Sequence, residues 1–269
     1  MFEAITIVIK GAGEMASGIA HRLFKSGLTN ICMTEIERPA AVRRSVAFCE
    51  AVYLASVEIE GVRASLVRDL PHLKDAWRQR RLGVLVDPEW RIVADLRPDI
   101  VIDAIMAKRN LGTNREEAPL VVAVGPGFLA PRDVHAVVES NRGHNLGRVI
   151  LSGAAEPHTG VPGSVAGYTT ERVLRSPRQG AVRHLKSIGD AVKKGDVVLY
   201  VDDAPVPASI DGIVRGLIRE IPVSKGRKLG DIDPRGNVAL CYTISDKARA
   251  IAGGVLEAVV GWISRQPRR

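Results

Sequence analysis

A chain of 269 residues, 46% hydrophobic and 25% charged, has the length and composition for two globular domains and excludes a low-complexity or disordered polypeptide. An aromatic share of only 4% means that the core is built from Val, Ile, Leu and Ala, which favours an α/β sheet over a sandwich anchored on aromatic residues. The net charge of +8 is scattered, with short clusters at Arg78–Arg81 and Arg265–Arg269 and no interleaved aromatics, so nucleic acid is not the expected partner.

The run from Ala4 to Lys10 has the length and β-branched content of a buried parallel strand. Gly11-Ala12-Gly13-Glu14-Met15-Ala16 follows, and then a helical stretch with Met15, Ile19 and Leu23 on one face and Gly27 at its end. A second strand, Ile31–Glu35, ends in an acidic residue roughly 20 positions on, the context a dinucleotide-binding turn requires. In that reading Gly11 makes the tight turn, Gly13 lets backbone approach a diphosphate, and Ala16 allows close packing of helix on strand. Phosphate would sit on the helix start, and Glu35 would accept from a ribose hydroxyl. Glu14 suits the helix dipole but competes with a bound phosphate.

Pro39 is placed to open a helix that would carry Arg43 and Arg44 toward the nucleotide edge of the sheet. Val57–Val67 alternates about Gly61 and reads as a hairpin, and Pro71–Arg81 reads as a helix. Strands are expected at Val84–Val86, Ile100–Ile102, Leu120–Val124 and Arg148–Leu151. Such an open α/β sheet binds ligands beyond the carboxyl ends of its strands. Asp103, Lys108, Arg109, Gly125, Gly127, Glu139 and Arg142 follow those ends. The loops around Lys108-Arg109 and from Gly125 to His144 are therefore expected to line one cleft with the glycine turn, Lys108, Arg109 and Arg142 forming an anion-binding rim. Arg38 stands near Glu35 and bears on the choice between NAD and NADP. His135 and Glu139, four apart, are the acid–base candidates, with Lys108 the third catalytic candidate. The His and Glu spacings match no standard zinc pattern, and no metal site is expected.

From about Pro177 the pattern changes to short alternating strands between Gly-Asp turns, as in Gly189-Asp190 and Gly195-Asp196. This stretch looks like the barrel-sandwich hybrid of biotinyl and lipoyl carrier domains. Its hairpin reads Asp202-Asp203-Ala204-Pro205 and lacks the lysine on which carriers bear their cofactor. Ile251, Val255, Val259 and Ile263 then recur every four residues, an apolar helix stripe that is expected to dock on the body. The expected fold class is thus α/β: a Rossmann-like parallel-sheet domain over 1–172, a small all-β barrel-sandwich hybrid over 173–244, and a C-terminal helix over 245–269.

Several phrases together resemble the YqeB family of accessory proteins of selenium-dependent molybdenum hydroxylases. They include Gly11–Gly18, Glu35–Pro39, Arg43–Phe48, Ala107–Asn110, Gly125–Phe128, Asp133–His135, Arg142–His144 and Gly226–Arg235. The likeness runs over nearly the whole chain. It implies help in maturing or loading the molybdenum cofactor of a xanthine or purine dehydrogenase-like enzyme. The implied partners are the apo-hydroxylase and a nucleotide-type small molecule, either NAD(P) or a molybdopterin dinucleotide, with a homo-oligomer left open. The competing reading is an NAD(P)-dependent oxidoreductase acting on a small substrate, which requires a proton donor beside the nicotinamide, His135 or Lys108. The three cysteines, Cys32, Cys49 and Cys241, lack metal spacing, no segment approaches the ~20 apolar residues of a membrane span, and no basic leader opens the chain. A cytoplasmic location without membrane contact is expected.

Overall fold

The computed structural model describes residues 4–266. It divides into two compact units. Unit 1 holds the described residues up to Pro39, Ala47–His158 and the chain from Ile244 onward; unit 2 holds Ala40–Val46 and Thr159–Thr243.

Unit 1 is built on a nine-stranded sheet. In chain order its elements are β1 (Thr6–Lys10), α1 (Glu14–Lys25), β2 (Asn30–Glu35), α2 (Ala51–Leu54), β3 (Ser56–Ile59), β4 (Val62–Val67), α3 (Leu70–Arg78), β5 (Leu82–Val86), α4 (Arg91–Leu96), β6 (Ile100–Asp103), β7 (Leu120–Val124), β8 (Ala136–Val138) and β9 (Val149–Ile150). The spatial order is β3-β4-β5-β2-β1-β6-β7-β8-β9. From β4 to β8 every neighbouring pair is parallel, and the hairpin partner β3 and the short β9 close the two edges antiparallel. The run β5-β2-β1-β6-β7-β8 repeats the 3-2-1-4-5-6 order of doubly wound dinucleotide-binding sheets. The order reverses between β1 and β6, so their carboxyl ends flank the crevice where such sheets take ligands.

Strand alternation sorts the core. Val8, Cys32, Val101 and Val121 share a cluster with Leu73, Ala76 and Ile92 of α3 and α4. Ile7, Ile9, Ile31 and Met33 alternate with them, equally buried, and point the other way. Cys32 is thus the small buried hydrophobe that its strand position suggests, its thiol pushed well up by desolvation and the charge of Asp87. Asp69 caps α3 by accepting from the His72 N–H, just ahead of Pro71 in the first turn.

The chain closes with α5 (Asp246–Ile263), which packs along α1 and against β7, β8 and β9. Gly18 of α1 lies against Ala248, so that a Cβ there would stand 2.9 Å from the alanine methyl. Residue pairs Glu14 with Ser245, Gly18 with Ala248 and Arg22 with Gly253 advance together, so the two helices run parallel. The helix foreseen for 245–269 therefore completes unit 1; residues 267–269 of that range lie outside the described residues.

Unit 2 holds two four-stranded antiparallel sheets. Its strands are β10 (Val173–Arg175), β11 (Gly180–His184), β12 (Ala191–Val192), β13 (Val197–Val201), β14 (Ala204–Pro207), β15 (Gly212–Leu217), β16 (Pro222–Val223) and β17 (Lys228–Asp233). One sheet runs β10-β17-β15-β12, the other β14-β13-β11-β16. Val182, Val198, Leu199, Val214, Leu217 and Leu229 form its core. At the β13–β14 turn Asp202 accepts from the Ala181 N–H and Asp203 pairs with Arg178.

Two expectations change here. The boundary falls at 158/159 rather than 172/173, because the stretch before β10 gathers with the β unit. Pro39 opens no helix toward the sheet edge: residues 40–46 join unit 2, where Arg43, buried, donates to the carbonyls of Leu240 and Thr243 and Arg44 donates to that of Leu217. Carbonyl oxygens left over by strand ends and a 3₁₀ turn attracted these guanidiniums, a demand that local sequence does not display.

Candidate functional site

At the carboxyl end of β1 the chain splays between its neighbours. The Lys10 carbonyl accepts from Ala104 N–H, while Gly11 N–H donates to Thr34 O at 3.0 Å. Gly11 sits at φ +93°, and a Cβ there would stand 3.3 Å from Ile105 Cα. Both the turn and the close approach of the loop after β6 require glycine.

Gly13 is a different case. It is the N-cap of α1 at φ −70°, no side chain caps the helix, and a Cβ built on it meets nothing within 4 Å. The protein's own packing does not ask for glycine there. Beside it, Met15 is half-buried and Ala16 is buried, the small residue seating the helix near the sheet.

Glu35 closes this turn from the side. Its Oε1 accepts from Ala12 N–H at 2.9 Å and its Oε2 from Ile36 N–H at 3.0 Å. Burial pushes its carboxyl above the usual range against the pull of those two N–H groups. The carboxylate expected on a ribose thus spends one lone pair per oxygen on the backbone and keeps the others. Arg38 is exposed nearby in sequence.

Glu14 accepts from the Ser245 hydroxyl at 2.8 Å, and Ser245 in turn caps α5 by accepting from Ala248 N–H. The N-termini of two parallel helices therefore stand side by side at this edge, each carrying an acidic residue in its first turn, Glu14 and Asp246.

The loops after β6 and β7 share the same edge. Gly127, at φ +112°, lies so close to the loop after β6 that a Cβ would stand 2.6 Å from Arg109 Cα, and a Cβ on Gly125 would meet the Ser140 hydroxyl. Lys108 and Arg109 are exposed. Slight desolvation first, and then the positive charge of Lys108 and Lys247, hold the exposed His158 imidazole below its ordinary range. Lys108 and Lys247 thus bring positive charge together beside the His158 imidazole.

Three expected participants do other work. His135 stands at the opposite edge: its Nδ1 accepts from Val121 N–H at 2.9 Å near the start of β7, so burial and the nearby Arg115 keep the imidazole pKa low. Glu139 is buried at the glycine-loop edge, where it accepts from the N–H groups of Ser140, Asn141 and Glu156. The pair is thus separated by the length of β8 and cannot exchange a proton. Arg142, expected in the anion rim, forms a two-pronged ion pair with Asp246, Nη1 to Oδ2 at 2.5 Å and Nη2 to Oδ1 at 3.0 Å. With Asp246 largely exposed, Arg142→Ala should cost under about 1 kcal/mol of unfolding free energy in urea titration. It should leave phosphate-ligand affinity within twofold; a larger loss of affinity would return Arg142 to the rim.

A network beneath this edge leaves no local trace in the order of residues. Lys10 is fully buried, its Nζ 2.8 Å from Thr113 Oγ1, 2.7 Å from Glu117 Oε2 and 4.0 Å from the Trp90 ring centroid. The Thr113 hydroxyl donates to Asp103 Oδ2 at 2.7 Å, and Asp103 Oδ1 accepts from Ile105 N–H. The lysine faces the α4 side of the sheet, where a cavity of about 910 Å³ opens between Trp90 and Glu117.

Desolvation pushes the Asp103 carboxyl above the usual range, against the pull of Thr113, the Ile105 N–H and Lys10. A carboxyl that holds its proton more tightly folded than unfolded adds stability below the unfolded value of 3.8, and loses it as pH rises through the folded value. The stability of Asp103→Asn relative to wild type should therefore improve as pH rises above the unfolded value, read from urea midpoints. A difference that stays flat with pH would contradict the shift. Among the described residues no group of three His, Cys, Asp or Glu side chains is placed to hold a metal ion, and no helix is long and apolar enough to cross a membrane.

Fold and site define a mixed α/β protein, with a large, mainly parallel sheet whose reversal point carries a glycine turn and a separate unit of antiparallel sheets. The chain is 46% identical over 255 residues, 94% of its length, to the protein YqeB of Escherichia coli strain K12, and this supports the YqeB family for the matched residues. It spans 47% of that relative's length. No protein-family model matches the chain. Among solved structures it is similar to TcdA (CsdL), at 14% identity and a TM-score of 0.33 over 98% of this chain and 90% of that one. An aspartoacylase family protein of Mesorhizobium loti aligns at 14% identity and 0.26 over 85% and 84%. Both scores lie below those of a shared fold, so the class rests on the strand order alone.

Proposed function

We propose that unit 1 binds a phosphate-bearing nucleotide at the reversal point between β1 and β6, and that the chain is an accessory protein for maturation or cofactor loading of a molybdenum hydroxylase. The observation that carries the first half is Gly13. A residue whose Cβ would meet nothing, on an uncapped helix start, leaves room for a ligand rather than for the protein. Lys108 and Lys247 supply positive charge, and Glu35 keeps lone pairs for a ribose hydroxyl. These residues suit either a nicotinamide dinucleotide or the nucleotide half of a molybdopterin dinucleotide. When bound, the former brings hydride chemistry and the latter a metal-binding dithiolene; the chain's own part is to seat the diphosphate. The accessory role follows from the family resemblance, to which the identity with YqeB adds support.

The competing oxidoreductase reading loses His135 to the far edge and is left with Lys108 as its proton donor. Gly13→Val tests the binding site. Its stability should stay within about 1 kcal/mol of wild type, since the new Cβ enters open space and the remaining cost is that of a poorer N-cap. Binding of NAD, followed by calorimetry, should fall below detection, as should nucleotide or molybdopterin retained in native mass spectra. Unchanged ligand content in this variant would remove the glycine turn from the site. Preference for NAD over NADP is expected from the Glu35 carboxylate, and Arg38→Ala should not change it.

A further inference from the structure

We propose a second anion site in unit 1, a basic cavity between the outer turns of α1 and α5 that takes a phosphate or carboxylate group. Arg22 and Lys25 lie nine and twelve residues beyond Gly13, which places this cavity about 13–18 Å along α1 from the glycine turn.

The cavity measures about 260 Å³. His21, Arg22 and Lys25 of α1 and Arg249 of α5 line it, with Ile244 and Leu256 as apolar wall. The parallel packing of the helices brings these side chains together. Arg22 Nη1 lies 3.4 Å from where a Cβ on Gly253 would stand, so the absence of a side chain at 253 leaves the guanidinium its place. Lys25 Nζ comes similarly close to Gly61 in the β3–β4 turn.

Charge at this cavity is unbalanced. Beside it Glu60 accepts from Arg249 Nη2 with both oxygens at 2.8 Å and from Ile244 N–H at 2.8 Å. Among the described residues no carboxylate pairs with Arg22 or Lys25. Three cations thus face one committed anion. The dipole of α1 favours Arg22 and Lys25 in its last turn. It does not account for Arg249, which comes from the first turns of the other helix and converges on the same space. His21 borders the cations: its Nε2 lies 3.2 Å from the Glu60 carbonyl, and burial holds its pKa down against the pull of Glu60, with Lys25 and Arg249 adding smaller pushes in the same direction. An oxyanion in the cavity would accept from Arg22 and Lys25 and relieve that repulsion.

The test follows the His21 imidazole by NMR through a pH titration of the whole chain, with inorganic phosphate, acetate or chloride at matched ionic strength. A site for a phosphate group predicts that phosphate alone raises the His21 pKa, with amide shifts confined to residues around 21–26 and 249. A carboxylate site predicts the same response to acetate. In Arg22→Gln/Lys25→Gln the apparent affinity for the active anion should fall at least about tenfold, with the urea midpoint unchanged. An equal response to chloride, no response to any anion, or a response undiminished in the double variant would overturn the proposal. Gly13→Val should leave the His21 response intact, so failure here and failure at the glycine turn are read separately.

Discussion

Lys10→Met should remove about 3–5 kcal/mol from the unfolding free energy of unit 1, the largest loss expected from one substitution. The lysine is fully buried and its partner Glu117 is only 14% exposed, so the variant leaves a largely buried carboxylate without its cation. It also removes the donor to Thr113 and the cation over Trp90. Methionine restores the volume, which isolates the electrostatic part. Urea unfolding measures the loss. Glu117→Gln added to Lys10→Met should recover part of it, because a neutral amide tolerates the site better than an orphaned charge. A loss below about 1 kcal/mol, typical of an exposed pair, would show that water reaches Glu117 freely.

Gly127→Val should combine a fall in stability with a fall in ligand binding. The backbone at φ +112° disfavours any side chain, and the new Cβ would press on the backbone of Arg109. Strain at a left-handed position costs about 1–3 kcal/mol, and overpacking a similar amount, so a loss of about 2–4 kcal/mol is expected. The loop carrying Lys108 and Arg109 must move away, so nucleotide affinity should fall at least about tenfold, a cost of 1.4 kcal/mol or more. Gly13→Val, two strands away on the same edge, is expected to lose binding with a stability loss of no more than about 1 kcal/mol. The contrast separates a glycine kept for the fold from one kept for a ligand. Equal stability of the two variants would erase that distinction.

The sheet was largely legible because buried parallel strands advertise themselves as β-branched runs. Each strand foreseen at 84–86, 100–102, 120–124 and 148–151 is present within a few residues. The shared edge was legible for the same reason, since loops that follow parallel strands emerge together. What individual side chains do there was not. His135 and Glu139 share a face by periodicity, yet they stand at opposite ends of one short strand, and no pattern says which end meets a ligand. Glu35 sits where a ribose-binding acid belongs, but its first obligation is to two backbone N–H groups of its own turn. Arg142 found Asp246, 104 residues away, and Lys10 found Glu117, 107 residues away. Partners at such separations leave no local trace.

The pairing of α1 with α5 sets an order on synthesis. α1 leaves the ribosome among the first 25 residues, but the helix that covers its Gly18 face starts at Asp246. In between, the whole of 159–243 must emerge, and that stretch belongs to the β unit. A nascent chain arrested near residue 160 would therefore present an uncovered apolar flank to chaperones, and release should come only after α5 appears. Unit 2 is in this sense a delay written into the gene, and truncations just short of Asp246 should be degraded far faster than truncations just beyond Ile263.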